Sequence, residues 1–184
     1  MKSAGWLRSV YLSRFSQPQQ DRIIYRALSR SRVTSVLEIG IGTGVRTGRA
    51  LELALMNAAA GRVRYIGVDL FEARDDRRSH LTLKQAHQVL VDKRISARLI
   101  PGDPYTALSQ TANSLGCIDL VIVSADQDQD SLSRAWFYLP RLLHQESLVF
   151  VERATAEGNT IHQLSAAEIA ALAHAAPRPC RHAA

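Results

Sequence analysis

The sequence predicts an α/β fold, a three-layer αβα sandwich around a mostly parallel, doubly wound sheet of about five strands. Short apolar runs alternate with longer segments of helical periodicity, and a glycine-rich turn follows the first run. Strands that are apolar on both faces are typical of a parallel sheet covered by helices on both sides. The predicted strands are residues 36–39, 64–69, 97–100, 118–123 and 148–151.

Helices are predicted before, between and after these strands. Trp6, Leu7, Val10 and Tyr11 have helical spacing, and the sequence Ser16-Gln17-Pro18 is typical of a helix start. The other predicted helices are residues 16–29, 43–57, 81–93, 105–115, 131–143 and 165–175.

The length and composition predict one core domain with two flanking segments. A chain of 184 residues with 46% hydrophobic content can bury a single core. We expect residues 1–34 to form a basic helical extension packed on the domain and residues 35–152 to form the core. Residues 153–184 are expected to form a C-terminal helix and tail.

The positive charge is concentrated at the N-terminus. Residues 1–34 contain seven basic residues and one acidic residue, a net charge of +6, which equals that of the whole chain. Arg22, Arg26 and Arg30 recur every four residues and would line one side of a helix. We interpret this as a solvated helix face, although an anionic partner such as nucleic acid is not excluded.

The cysteines and the N-terminal residues predict a cytoplasmic protein. Cys117 and Cys180 lie far apart and lack metal-ligand spacing, which is typical of a reducing compartment. Arg8 and Arg14 interrupt the apolar residues near the N-terminus, so neither a signal peptide nor a membrane span is expected. We therefore expect no membrane partner.

The segment from Glu38 to Gly44 predicts a nucleotide-type ligand. Gly40, Gly42 and Gly44 alternate between the first strand and a helix start, where glycine permits a sharp turn and the helix N–H groups face a ligand. A dinucleotide fingerprint needs glycines at relative positions one, three and six, which this run lacks. The looser set that ends at Gly48 keeps nicotinamide binding as an alternative.

Acidic residues end the next two predicted strands. Asp69 follows the second strand and could accept both hydroxyls of a ribose, with Glu72 close enough to compete. Asp103 follows the third strand and could accept a hydrogen bond from an adenine amino group. Aspartate before proline is also a common turn and helix-cap choice, so Asp103 has a second interpretation as an N-cap.

The run Glu38-x-Gly40-x-Gly42-x-Gly44 resembles the first motif of the class I S-adenosylmethionine-dependent methyltransferases, which have a Rossmann-like fold. Asp69 and Asp103 match that family's acidic residues after the second and third strands, and the resemblance covers about residues 35–152. It implies S-adenosylmethionine as the cofactor, with Glu38 near its methionine part, Asp69 at the ribose and Asp103 at the adenine.

The segment after the fourth strand would lie on the acceptor side in this family. Asp126 is the best candidate for an acceptor contact there, and Asp130 is expected to cap the next helix. Asp119, which opens the strand, resembles an aspartate that is more often structural. Some O-methyltransferases bind a metal at the position of Asp126, but their second acidic pair has no counterpart after Glu152, so we expect no metal.

The C-terminus departs from the family pattern. Members of the family usually end with a further strand pair, whereas the 32 residues after Glu152 show one alanine-rich helix and no convincing strand pair. We therefore expect the fifth strand to be an edge of the sheet. The C-terminal helix, the N-terminal helices or a second copy in a homodimer would cover it.

The sequence thus predicts a methyltransferase with an unidentified acceptor, a small molecule rather than protein or RNA. No catalytic residue is identified, because the six histidines show neither ligand spacing nor a paired nucleophile. The alternatives are a non-catalytic member of the fold that binds cofactor or a partner, and a nicotinamide-dependent oxidoreductase.

Overall fold

The described residues form a six-stranded sheet with the strand order β3-β2-β1-β4-β5-β6. The structure is a computed structural model that describes residues 2–58, 61–74 and 80–177. Cys180 and most of the predicted tail lie outside these residues. The strands are β1 (Ser35–Ile39), β2 (Val63–Asp69), β3 (Ile95–Pro101), β4 (Ile118–Val123), β5 (Leu143–Thr155) and β6 (Gly158–Gln163).

Helices flank the sheet in the predicted alternation. They are α1 (Lys2–Arg14), α2 (Arg22–Arg30), α3 (Val45–Asn57), α4 (Leu83–Val89), α5 (Pro104–Leu115), α6 (Gln129–Ala135) and α7 (Ala166–Ala175). The strands β1 to β5 pair in parallel, and the strand order reverses between the neighbours β1 and β4. This confirms the predicted doubly wound α/β fold and places the switch point of the sheet at the end of β1.

The central strands β1, β2 and β4 bury their side chains on both faces. Leu37 and Val121 pack on one face with α5 and α6, whereas Val36 and Leu120 pack on the other face with α2 and α3. Leu12 of α1 is fully buried in the second of these clusters. This two-sided burial explains why the strand sequences are continuously apolar.

The prediction that the sheet ends at the fifth strand was wrong, because β6 pairs antiparallel with β5. The two strands join through a tight turn in which Gly158 has a φ of +125°. Ile161 is the buried apolar residue of β6. An edge strand with so little apolar content does not produce the alternation by which strands are recognised. The chain therefore contains one strand of the pair that was expected to be absent, and this strand covers the edge of β5.

Two helices end earlier than predicted. The helix predicted at residues 131–143 stops at Ala135 and is followed by a 3₁₀ turn from Leu139 to Leu142, since Pro140 cannot continue an α-helix. Strand β5 consequently begins at Leu143, five residues before the prediction. The helix predicted at residues 81–93 begins after a Thr82 cap and ends at Val89.

The N-terminal helices pack against each other and against α3. Ile24, Tyr25 and Leu28 of α2 are fully buried in the core. Arg22 and Arg26 donate hydrogen bonds to the backbone carbonyls of Ser16 and Ser13, so two of the three periodic arginines connect the two helices.

The helices in the described part of the chain are too short or too polar to cross a membrane.

Candidate functional site

The loop from Gly40 to Gly44 connects β1 to α3 at the carboxyl edge of the sheet. Gly40, Gly42 and Gly44 have φ angles of +88°, +60° and +74°, a region that side chains other than glycine rarely adopt. A Cβ atom on Gly40 would lie 2.7 Å from Ser124 Cβ and would also clash with Gln127. At Gly42, by contrast, no described atom lies within 4 Å of a Cβ position. The loop is thus packed at Gly40 and open at Gly42.

A cavity of about 430 Å³ opens beside Gly42. It lies where β1, β4 and β5 end, the edge at which doubly wound sheets bind their ligands. Its wall includes Pro18, Asp21, Ile41, Gly42, Thr43, Arg46, His80, Ser124, Asp126, Glu152 and Asn159. Glu38, Asp69 and Asp103 do not line it, so only Gly42 and Asp126 of the predicted site residues meet in this cavity.

A larger open cavity of about 760 Å³ lies at the opposite edge. Arg62, Arg64, Lys93 and Arg94 line it at the amino ends of β2 and β3. Ligands of parallel sheets bind at the carboxyl ends, and the glycine loop is remote from this surface. We therefore place the candidate site in the smaller cavity.

Glu38 lies behind the glycine loop and is 1% exposed. Its carboxylate accepts hydrogen bonds from Thr47 Oγ1 at 2.6 Å and Tyr65 Oη at 2.8 Å. Burial raises the pKa of Glu38, and the nearby Arg46 guanidinium opposes that rise only in part. The side chain supports the loop from inside the domain.

Arg46 joins three carboxylates, and we call Arg46, Asp21, Glu38 and Glu152 the Arg46 cluster. Arg46 Nη1 lies 3.0 Å from Glu152 and 3.7 Å from Asp21, while Nε lies 3.4 Å from Glu38. Nη2 donates to Ser124 Oγ. Sequence analysis did not identify Asp21 or Arg46 as site residues. Arg46 could have been identified from its position in the first turn after the glycine loop, whereas no sequence pattern pointed to Asp21.

Asp69 holds the glycine loop in place. Oδ2 accepts from the N–H groups of Ile41 at 2.7 Å and Gly42 at 3.3 Å, and Oδ1 accepts from Phe71 N at 3.1 Å and Arg74 Nε at 2.9 Å. Burial opposes ionisation, but these donors outweigh it and lower the pKa of Asp69. A carboxylate has about four acceptor sites, and all are used within the chain.

Asp103 caps a helix. Its Oδ1 accepts from Thr106 N at 3.1 Å at the start of α5 and also from Ser131 Oγ. Despite its partial burial, these hydrogen bonds lower the pKa of Asp103. The capping interpretation of the Asp103-Pro104 sequence is thus realised in the structure, and the adenine role stays a prediction.

Asp126 faces the cavity and pairs with two basic side chains. Its Oδ2 lies 2.9 Å from Arg74 Nη1 and 3.0 Å from His80 Nε2. Arg74 Nη2 is buried and has no hydrogen-bond acceptor among the described residues. An orphaned buried donor beside both Asp69 and Asp126 is an observation that fits a missing polar ligand.

Two other aspartates are structural in this fold. Asp128, not the predicted Asp130, caps α6 by accepting from Ser131 N at 2.8 Å, because the helix starts two residues earlier than expected. Asp119 accepts from the N–H groups of Thr34 and Ser35 at the opposite edge of the sheet.

Within residues 2–58, 61–74 and 80–177, no group of three or more His, Cys, Asp or Glu side chains is placed to hold a metal ion.

Comparison with known proteins identifies the fold. No protein-family model and no curated protein matches the sequence. Among solved structures, an O-methyltransferase from Bacillus cereus in complex with SAH matches with a TM-score of 0.55 and 15% identity, over 86% of this chain and 70% of that one. A TehB-like SAM-dependent methyltransferase from Corynebacterium glutamicum matches with a TM-score of 0.53 and 15% identity, over 94% and 80%.

A third similar structure is cofactor-bound Rv0187 from MTB, with a TM-score of 0.53 and 19% identity. The match covers 82% of this chain but only 64% of that protein's length. These similarities show that the chain has the fold of the class I S-adenosylmethionine-dependent methyltransferases, as the glycine run indicated.

Proposed function

We propose that the protein is an S-adenosylmethionine-dependent methyltransferase that acts on a small molecule. The observation that carries this proposal is Gly42, whose open face borders a cavity at the switch point of a methyltransferase fold. The cavity volume of about 430 Å³ lies within the range of small-molecule sites, about 300–1,000 Å³.

The described residues fit such a cofactor at two places. Gly42 leaves room for a ligand against the backbone, and Arg74 Nη2 is a buried donor without an acceptor in the described part of the chain. When bound, S-adenosylmethionine supplies a methyl group activated by a sulfonium. The protein's task is then to align an acceptor atom with that methyl, within about 3–3.5 Å.

The roles of individual residues belong to the same proposal. The loop Gly40–Gly44 would approach the cofactor, with Asp69 at its ribose and Asp103 at its adenine. Because all acceptor sites of Asp69 are filled, a ribose hydroxyl would have to replace its hydrogen bond from Arg74. Asp126 would face the acceptor, and residues 35–152 would carry the cofactor site.

The test is calorimetric titration of the purified protein with S-adenosylhomocysteine, using Gly42→Ala and a matched control. Gly61 has the same φ of +60° and equally open surroundings, but it lies outside the cavity wall. Both substitutions introduce a strain of about 1–2 kcal/mol. We expect Gly42→Ala to weaken binding at least about tenfold and Gly61→Ala to leave it unchanged. Absence of binding to the wild-type protein would refute the proposal.

A non-catalytic protein of the same fold that binds a partner is the second candidate. It is favoured by Asp69 and Asp103, whose oxygens serve the protein's own loop and helix and not a cofactor. Incubation with a metabolite extract and methyl-labelled S-adenosylmethionine separates the two candidates, since only the enzyme produces a labelled product.

A further inference from the structure

The segment between α1 and α2 forms part of the cavity wall through Pro18 and Asp21. Asp21 is only 3% exposed. Its Oδ2 accepts a hydrogen bond from Tyr25 Oη at 3.3 Å. Its Oδ1 has no hydrogen-bond donor among the described residues, and the cation nearest to it is Arg46 Nη1 at 3.7 Å. One oxygen of this largely buried side chain, at the cavity wall, therefore lacks a donor in the described part of the chain.

Arg46 does not donate a hydrogen bond to Asp21 Oδ1, because Nη1 lies 3.7 Å away, beyond hydrogen-bond distance. Its Nε donates to Glu38, its Nη1 to Glu152 at 3.0 Å and its Nη2 to Ser124. Every nitrogen of the guanidinium is thus engaged with a partner closer than Asp21.

The Arg46 cluster also has an excess of negative charge, with three carboxylates around one guanidinium. Arg49 adds a weaker attraction for Asp21, but it donates to the carbonyl of Gln17 and forms no ion pair with the cluster. A buried carboxylate without full compensation favours the binding of a cation.

The other two carboxylates of the cluster are better satisfied. Glu38 accepts from two hydroxyl groups, and Glu152 accepts from Asn159 Nδ2 at 3.1 Å in addition to Arg46. Asp21 is consequently the member of the cluster with acceptor capacity left for a ligand.

We infer that Asp21, supported by Glu152, binds the α-ammonium group of the cofactor's methionine end. This inference rests on the proposed function, and it assigns a binding residue to the N-terminal segment, outside the glycine motif. It also moves the acidic contact of the methionine end from Glu38, which lies behind the loop, to a carboxylate on the cavity wall.

The same geometry disfavours an anionic group at this point. A carboxylate beside Asp21 and Glu152 would meet two like charges, and the Arg46 guanidinium is already shared among three carboxylates. An ammonium group could come from the cofactor or from an amine acceptor, and we assign it to the cofactor because the site lies beside the glycine loop.

The test is a comparison of two ligands by calorimetry on the full chain. One is S-adenosylhomocysteine, and the other is its analogue that lacks only the α-amino group. We expect the wild-type protein to bind the first at least about tenfold more tightly, the effect of one hydrogen bond to a charged group. Asp21→Asn should remove this preference by weakening only the amino-bearing ligand. Asp130→Asn, the same change at an exposed position outside the cavity wall, should preserve it.

The outcomes separate this inference from the proposed function. Equal wild-type affinity for the two ligands, or an equal loss for both in Asp21→Asn, would overturn the inference and leave the proposed function standing. No wild-type binding of either ligand would overturn both. If Asp21→Asn does not fold, Glu152→Gln tests the same preference, and we expect a smaller reduction because Glu152 already has three other partners.

Discussion

The carboxylates at the two ends of the candidate site are satisfied in different ways. On the side predicted for adenosine, Asp69 accepts hydrogen bonds from backbone N–H groups of the glycine loop and of Phe71, and Asp103 accepts one from the first turn of α5. In the Arg46 cluster, three carboxylates from distant parts of the chain share one guanidinium. The acceptor oxygens of Asp69 are all used without a ligand, whereas Asp21 on the second side has unused acceptor capacity.

The directions of the pKa shifts agree with this difference between the two ends. Although burial opposes ionisation at Asp69 and Asp103, their donors lower the pKa of both carboxyls. Burial raises the pKa of Asp21 and Glu38, and Arg46 offsets that rise only in part. Asp69 has the Arg74 side chain and backbone N–H groups as donors of its own, and Asp103 has Ser131 and Thr106. Several donors committed to one carboxylate thus stabilise its ionised form more effectively than one guanidinium shared among three carboxylates.

The largest effect is expected from Arg46→Met, which removes the cation that forms ion pairs with the buried Asp21 and Glu38 and the partly buried Glu152. The free energy of unfolding should fall by about 3–5 kcal/mol near neutral pH, as measured by urea denaturation. The loss should shrink as the pH falls, because protonation neutralises the stranded carboxylates.

The control for this variant is Arg94→Met. Arg94 forms its ion pair with Asp92 on the surface at 2.7 Å, where the loss of a salt bridge has little effect on stability. If Arg46→Met cost no more stability than Arg94→Met, the Arg46 cluster would not depend on its guanidinium, and the contrast between the two ends would fail.

A smaller loss is expected from Asp69→Asn, which keeps the size of the side chain but replaces one acceptor oxygen with a donor. The free energy of unfolding should fall by about 2–3 kcal/mol near neutral pH, because hydrogen bonds to a charged acceptor are lost. The pKa of Asp69 is lowered in the folded state, so its contribution is complete above the unfolded pKa of about 4 and is lost as the pH falls further.

Urea denaturation at neutral and acidic pH, with Asp130→Asn as the exposed control, measures this contribution. A difference between wild-type and Asp69→Asn that does not shrink in acid would contradict it, since the effect would then come from shape and not from ionisation.

The predictable parts of the molecule are those in which neighbours in sequence are also neighbours in space. The apolar runs and the glycines at Gly40, Gly42 and Gly44 predicted strands β1 to β5 and the turn after β1, because backbone geometry and two-sided burial act locally. Strand β6 was not predicted, since it offers one buried residue, Ile161, and pairs only because β5 is beside it.

The Arg46 cluster illustrates what the sequence could not provide. Arg46 and Glu152 are 106 residues apart, and Asp21 lies between α1 and α2, before the first strand of the sheet. Their meeting depends on the strand order and on how α2 packs, and neither is encoded in a short motif. Asp69 is an intermediate case. Its position at a strand end was predictable, but the identity of its four donors was not.

The smallest effect is expected from Asp21→Asn. The raised pKa of Asp21 means that the folded state holds this proton more tightly than the unfolded state, so wild-type stability falls as the pH rises from the unfolded pKa of about 4 through the folded value. The variant lacks this penalty, and near neutral pH it should be at least as stable as wild-type, within about 0.5 kcal/mol. Any advantage should vanish in acid, where the wild-type carboxyl is neutral.

A loss of stability above about 1 kcal/mol near neutral pH would show that Asp21 is fully satisfied within the protein. Its carboxylate would then have no capacity left for an ammonium group, and the two ends of the site would not differ.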